Sequence, residues 1–211
     1  MQYSPELISA LQQRLRHPLP GLDAQMRLSP PIRGRQVAVP PTARESAVLV
    51  LLYPYEGQWF IPFMRRSQDG RVHGGQISFP GGRRDPVDVD FTATALREAD
   101  EEMGIKPHAV EIIGPLTELY IPPSNSLVYP RLAYTPERPQ FIPDPIEVAE
   151  IIEVPVGQFL EKERLSLHQV HVHHGMHIEA PGFTVHEQEL IWGATAMMMA
   201  EVIHLIEEVG L

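Results

Sequence analysis

Between Gly81 and Ile105 the chain reads GGRRDPVDVDFTATALREADEEMGI: a double glycine, an acidic connection, then a helix with readable ends. Asp90 suits the N-cap, where a side-chain oxygen takes an orphan N–H, and Gly104 suits the C′ position, where φ is often positive. At 100° per residue Glu98, Glu101 and Glu102 fall at roughly 0°, −60° and +40°, so three carboxylates share one side. Leu96, Ala99 and Met103 point roughly the opposite way. Such a helix must rest its apolar side on a core and leave the acidic side to solvent or a ligand. Like charges at this spacing repel by a few tenths of a kcal/mol per pair, and no basic residue within the helix follows Arg97. Clustered oxygen donors are what a hard divalent cation such as Mg²⁺ takes, through one or two carboxylates, waters and substrate phosphate oxygens. A solvated acidic face is the plain alternative.

The residues ahead of the helix favour the cation. Gly81 and Gly82 carry no side chain, so backbone there can approach a ligand closely. The stretch resembles the Nudix signature, G-x5-E-x7-R-E-U-x-E-E-x-G-U with U aliphatic. Arg97, Glu98, Ala99, Glu101, Glu102, Gly104 and Ile105 match its second half in register. In the first half one extra residue intervenes: Val89 takes the place of the isolated glutamate counting back from Arg97, and Asp88 counting forward from Gly82. In the family that glutamate braces the arginine, a role that falls here to Asp88 or Asp85. Immediately upstream, Arg66-Ser67-x3-Arg71-x3-Gly75-x3-Phe79-Pro80-Gly81-Gly82 resembles the extension that marks the coenzyme A pyrophosphatase branch, although Pro62, Phe63 and Met64 replace its opening L-L-T. Two arginines suit a doubly anionic ligand, because guanidinium forks give phosphate oxygens charge-assisted hydrogen bonds. Ordinary surface charge, or a brace for the acidic loop, is the structural alternative. His73 lies inside this loop and either touches phosphate or stabilises a turn. Near the C-terminus Trp192-Gly193-Ala194-Thr195-Ala196 resembles the W-G-x-T-A opening of that branch's last helix.

With 211 residues, one domain is the expected count. A formal net charge of −10 argues against a nucleic-acid surface and leaves anionic substrates dependent on metal and local arginines. There are no cysteines, which excludes disulfides, thiolate nucleophiles and zinc–sulfur sites. The first residues lack the pattern of a secretory signal, no stretch is apolar enough to span a membrane, and a cytoplasmic location is expected. Ser4 and Pro5 open an amphipathic helix with Leu7, Ile8, Leu11 and Leu15 at helical spacing, expected to pack on the domain or on a partner subunit. Residues 18–44 hold six prolines and four arginines (Arg27, Arg33, Arg35 and Arg44), which predicts an extended arm without regular structure. Residues 1–45 are thus expected as helix and arm, and 46–211 as the catalytic domain.

Within that domain Ser46–Tyr53 and Trp59–Arg65 read as a hairpin about Glu56-Gly57, whose outgoing strand delivers Arg66 and Ser67. Ala109–Ile121 reads as strand broken at Gly114-Pro115, and Ser126–Tyr134 as another. A proline-rich loop leads to Ile146–Pro155, which supplies Glu147 or Glu150 as the further acidic residue the family often draws from this region. His168, His171, His173, His174 and His177 crowd a short segment, either as an exposed polar hairpin face or as a zinc, copper or nickel site.

The resemblance implies a Nudix-type α/β/α sandwich with a mixed curved sheet. It implies Mg²⁺- or Mn²⁺-dependent hydrolysis of the pyrophosphate in coenzyme A or acyl-coenzyme A. Glu98, Glu101, Glu102 and the Gly82 carbonyl would hold metal and Arg97 would orient the carboxylates. Arg66, Ser67, Arg71, His73, Gly75 and Gly81 would face the substrate. Another nucleoside diphosphate as substrate, or a nucleotide sensor without hydrolysis, are the rival readings. The sequence is silent on subunit number; the family often forms dimers, so a homodimer is one assembly the resemblance allows.

Overall fold

The computed structural model describes residues 1–31, 38–68, 73–172, 176–186 and 188–210. Strand β1 (Arg44–Tyr55) is its axis. Its side chains alternate between two cores, as the period of a strand requires. Ala47, Leu49 and Leu51 enter one core with Ala95, Ala99 and Met103 of a helix spanning Phe91–Met103. Val50 and Leu52 enter the other with Leu7 and Leu11 near the N-terminus and Met197, Val202 and Leu205 near the C-terminus. A sheet buried on both faces between helices is an α/β/α sandwich.

The hairpin forms as expected: β1 pairs antiparallel with β2 (Gln58–Arg66). Glu56 and Gly57 both take positive φ, 47° and 72°, the two-residue turn whose twist matches paired strands. Short strands β3 (Ile77–Ser78) and β4 (Gly81–Arg83) follow, pairing with β2 and β1 respectively. After the helix come β5 (Glu111–Pro115), β6 (Leu119–Ile121), β7 (Ser126–Tyr134) and β8 (Val148–Pro155). β7 runs parallel to β1 while the remaining pairs are antiparallel, so the eight-stranded sheet is mixed and curved. The break expected at Gly114-Pro115 is a register shift within β5, and the chain leaves the strand only after Pro115. A second sheet holds β9 (Leu165–Val172), β10 (Met176–Val185) and β11 (Glu189–Trp192).

Among the described residues the α-helices are α1 (Glu6–Arg14), α2 (Gly21–Gln25), α3 (Phe91–Met103), α4 (Gly157–Leu160) and α5 (Gly193–Val209). Trp192 caps α5, where the sequence places the last helix. Helix α1 starts one residue later than Ser4 and Pro5 suggest, because the Ser4 hydroxyl donates to the Glu6 carboxyl instead of capping backbone N–H groups.

Residues 21–28 depart from the expected irregular arm: α2 continues into a 3₁₀ turn over Met26–Leu28. The cause is a buried polar knot that local sequence does not announce. The Gln25 amide donates to Glu201 of α5 (3.0 Å) and to the Thr117 carbonyl (2.9 Å), and the Thr117 hydroxyl donates to Glu201 (2.6 Å). Gln25 and Glu201 are both fully buried. Arg33 and Arg35 lie outside the described residues. No helix among the described residues is long and apolar enough to cross a membrane.

Glu201→Ala leaves the Gln25 amide with the Thr117 carbonyl but takes the acceptor from its second N–H and from the Thr117 N–H and hydroxyl, and the expected loss is roughly 2–4 kcal/mol. Urea denaturation checks it through a lower midpoint at unchanged slope.

Candidate active site

Both predicted ends of α3 are present. The Asp90 carboxylate accepts the Ala93 N–H at 2.8 Å, and Gly104 closes the helix at φ 74°. Strand β4 crosses the helix because it pairs with β1 at Val48, Ala47 and Ser46, which brings Gly81 and Gly82 onto the acidic side. Only glycine fits there. A Cβ on Gly81 would stand 2.3 Å from the Ala47 carbonyl oxygen, and one on Gly82 would stand 2.4 Å from a Glu98 carboxylate oxygen. The bare backbone therefore makes room for Glu98, and the Gly81 N–H donates to Glu102 at 2.7 Å.

Arg97 arranges the acidic face. Its Nε and Nη2 bond the two Asp88 oxygens at 3.1 and 3.0 Å, and Nη2 also donates to the Arg83 carbonyl at 3.1 Å. Its Nη1 reaches Glu98 at 2.8 Å and Glu101 at 3.0 Å. Asp88 is buried and accepts further bonds from the Asp85 N–H and the Thr94 hydroxyl, both 2.9 Å. Asp85 instead accepts the Val87 N–H at 3.0 Å in a local turn. Of the two candidates for bracing Arg97, Asp88 is the partner. The extra residue of the signature is accommodated by Val89, which projects into solvent at 85% exposure.

Burial sets the electrostatics. Glu102, 3% exposed, is pushed up to about 8, chiefly by desolvation, with the Gly81 N–H and Arg66 opposing and the charges of Glu98 and Glu147 adding. Glu98 is also raised by desolvation, against the pull of Arg97 and with Glu101 and Glu147 adding. Asp88 lies far below the ordinary carboxyl range because Arg97 bonds it.

The predicted residues separate into groups. The charge of Glu147 acts on both Glu98 and Glu102, and that of Glu98 on Glu102. Glu101 is turned to Arg97 and largely exposed, and Glu150 pairs with Arg65 at 3.3 Å. The Arg66 guanidinium faces Glu102 at 3.5 Å, and the Ser67 N–H donates to the Glu147 carbonyl at 2.9 Å. Gly75, at φ 76°, donates to the Arg66 carbonyl at 3.0 Å, and His73 faces the Gln76 side chain at 3.1 Å. Arg71 lies outside the described residues, as do His173 and His174. His171 and His177 face each other across β9 and β10, nitrogens 3.3 Å apart, while His168 meets Ser166.

Among the described residues no three His, Asp or Glu side chains converge tightly enough to hold an ion as they stand. The donor set nevertheless fits a hard divalent cation. Such an ion needs only one or two carboxylates, and buried Glu102 and partly buried Glu98 are both raised chiefly by desolvation, with neighbouring carboxylates adding.

Asp88→Asn removes the anion that Arg97 grips, with an expected loss of about 2–3 kcal/mol at neutral pH. The Asp88 carboxyl is depressed on folding, so its contribution is present above the ordinary 3.8 and fades as pH falls toward the lower folded value. The difference in stability between the two proteins should therefore shrink below about pH 4 in a denaturation series.

The NUDIX domain family model matches residues 43–175. Mouse peroxisomal coenzyme A diphosphatase NUDT7 is 39% identical over 122 residues, 58% of this chain and 51% of that protein, so the chain spans about half of that relative. The uncharacterised Nudix hydrolase NudL of Yersinia pestis (strain Pestoides F) is 30% identical over 213 residues, covering 100% of this chain and 96% of its own. The crystal structure of a MutT/nudix family protein from Enterococcus faecalis superposes with a TM-score of 0.54 at 14% identity, over 82% of this chain and 65% of that one, a likeness of fold. With the acidic helix, the glycine strand and the sandwich all in place, the chain belongs to the NUDIX domain family.

Proposed function

We propose that the protein hydrolyses the pyrophosphate of coenzyme A or acyl-coenzyme A, giving 3′,5′-ADP and 4′-phosphopantetheine or its acylated form. The observation that carries this reading is the Arg66 guanidinium placed against buried Glu102, beside the Gly81 N–H. One arginine thus spans the arginine loop and the acidic helix. The mouse relative's name as a coenzyme A diphosphatase supports the substrate. Pro62, Phe63 and Met64, which replace the opening L-L-T, are buried within β2, where that departure bears on packing of the strand.

In this mechanism Arg66 leaves Glu102 to bind a substrate phosphate oxygen, and Arg97, held by Asp88, keeps Glu98 in place. Mg²⁺ or Mn²⁺, held by Glu98 and Glu102, would supply neutralisation of phosphate charge and acidification of water. Water attacks one phosphorus, the bridging P–O bond breaks, and the departing oxygen leaves as a phosphate monoester. The proton of the attacking water passes to a carboxylate of the Glu98, Glu102 and Glu147 set.

The test is a product assay by mass spectrometry with Mg²⁺ or Mn²⁺, offering coenzyme A, ADP-ribose, NADH and a dinucleoside polyphosphate in parallel. Release of 3′,5′-ADP, with coenzyme A the best substrate, is the expected result; turnover of the others alone would overturn the substrate. Glu102→Gln should lower kcat/KM at least about a hundredfold while keeping the circular dichroism of the parent.

A second expectation concerns pH. Glu102 is raised on folding, so its contribution to stability is full below the ordinary 4.5 and is lost as pH rises through about 8. The metal-free protein should lose Tm across this window relative to Glu102→Gln, and saturating Mg²⁺ should diminish that loss, since cation binding favours the deprotonated form.

A further inference from the structure

One cavity among the described residues, of about 600 Å³, is not lined by Glu98, Glu101 or Glu102. It is a groove between the loop that follows β2 and the second sheet. Gln68, Gly75 and Gln76 form one wall, and Gln169 of β9 with Gln188 and Trp192 at β11 form the other. The walls are fixed to each other at the base. The Thr195 hydroxyl of α5 donates to the Ile77 carbonyl of β3 at 3.1 Å, and Arg65 of β2 bonds Glu189 of β11 at 2.6 Å. Two stretches far apart in sequence, residues 74–77 with Gln68 and the opening of α5, thus build one groove.

Its position ties it to the catalytic centre. Arg66 faces Glu102, and the next residue, Ser67, donates its N–H to the Glu147 carbonyl. The residue after that, Gln68, faces the groove. A ligand passing over the end of β2 would reach from the carboxylates into the groove across only this short rim.

The lining chemistry selects which part of a ligand can enter. Arg65 and Glu189 neutralise each other, and Arg65 is further engaged by Glu150. Among the described residues of the lining, His171 is engaged by His177, and Arg65 is the one arginine or lysine side chain. Glutamine amides dominate instead, each offering both a donor and an acceptor, and the Trp192 ring and Leu190 add apolar surface. That combination of described residues fits a neutral chain bearing amides with an apolar end.

Resting on the coenzyme A reading above, we infer that this groove binds the pantetheine arm of the substrate, so that the nucleotide lies on the other side of Arg66. Gln68 and Gln169 are the specificity-determining pair, one from each wall. Gln68 packs over Gly75, where a Cβ would stand 3.3 Å from its amide nitrogen, so the loop glycine gives this amide its place.

The test uses pantetheine itself, which carries both amides and no phosphate. The protein has two tryptophans. Trp59 is buried with its indole N–H donated to the Ser4 carbonyl, so it serves as an internal control for Trp192 in a ¹H–¹⁵N titration. Pantetheine should shift the Trp192 indole signal and leave that of Trp59 in place, and the exposed double variant Gln68→Ala/Gln169→Ala should lose the shift. A response at both indoles, or at neither, overturns the proposal. In turnover the double variant should raise KM for coenzyme A about tenfold with kcat within about twofold, the mark of lost ground-state binding. A kcat loss without a KM change also overturns it. Should the wild-type protein bind pantetheine at Trp192 yet hydrolyse no coenzyme A, the groove stands and the substrate reading falls.

Discussion

The grip of Arg97 on Asp88 is the interaction on which the site depends. An acidic helix side would be self-repelling in isolation, and α3 has no other basic residue after its first turns. Arg97 resolves this by spreading one guanidinium over Asp88, Glu98, Glu101 and the Arg83 carbonyl. Asp88 can serve as the anchor because it is itself pinned by the Asp85 amide and the Thr94 hydroxyl. Bidentate arginine–carboxylate geometry is directional, so the pair fixes where the helix sits relative to the connection before it. Glu98 and Glu102 are thereby left under the glycine strand, where burial raises both.

Much of this was legible in the sequence because it depends on neighbours along the chain. The ends of α3 follow from Asp90 and Gly104, and the hairpin follows from Glu56-Gly57 between two apolar runs. What was not legible depends on contacts between distant segments. Asp88 and Asp85 are both short acids in the same connection, and only the three-dimensional fold distinguishes the one that meets Arg97. Glu147 and Glu150 pose the same difficulty. Glu150 lies on β8 and pairs with Arg65, whereas Glu147 precedes the strand and faces the acidic set.

The helical turns at residues 21–28 are beyond the reach of local sequence for a related reason. Proline and arginine content argues for irregular chain, yet Gln25 is drawn into the core by Glu201, 176 residues away in sequence. Tertiary contacts override local propensity wherever buried polar groups must find partners. The groove beside the arginine loop belongs to the same class. Its second wall comes from β9, β11 and the residue before β11, and Gln169 and Gln188 stand at no recognisable spacing.

The outward bulge at Val89 has a consequence for how such chains diverge. Asp88 and Asp90 are each bound by their own partners, one by Arg97 and the other by the Ala93 amide, so the residue between them carries no structural duty. Length can therefore drift at this point of the connection without disturbing either anchor. A pattern written with rigid spacing would pass over descendants that gained or lost a residue here, although their helix and their arginine would meet as they do in this protein.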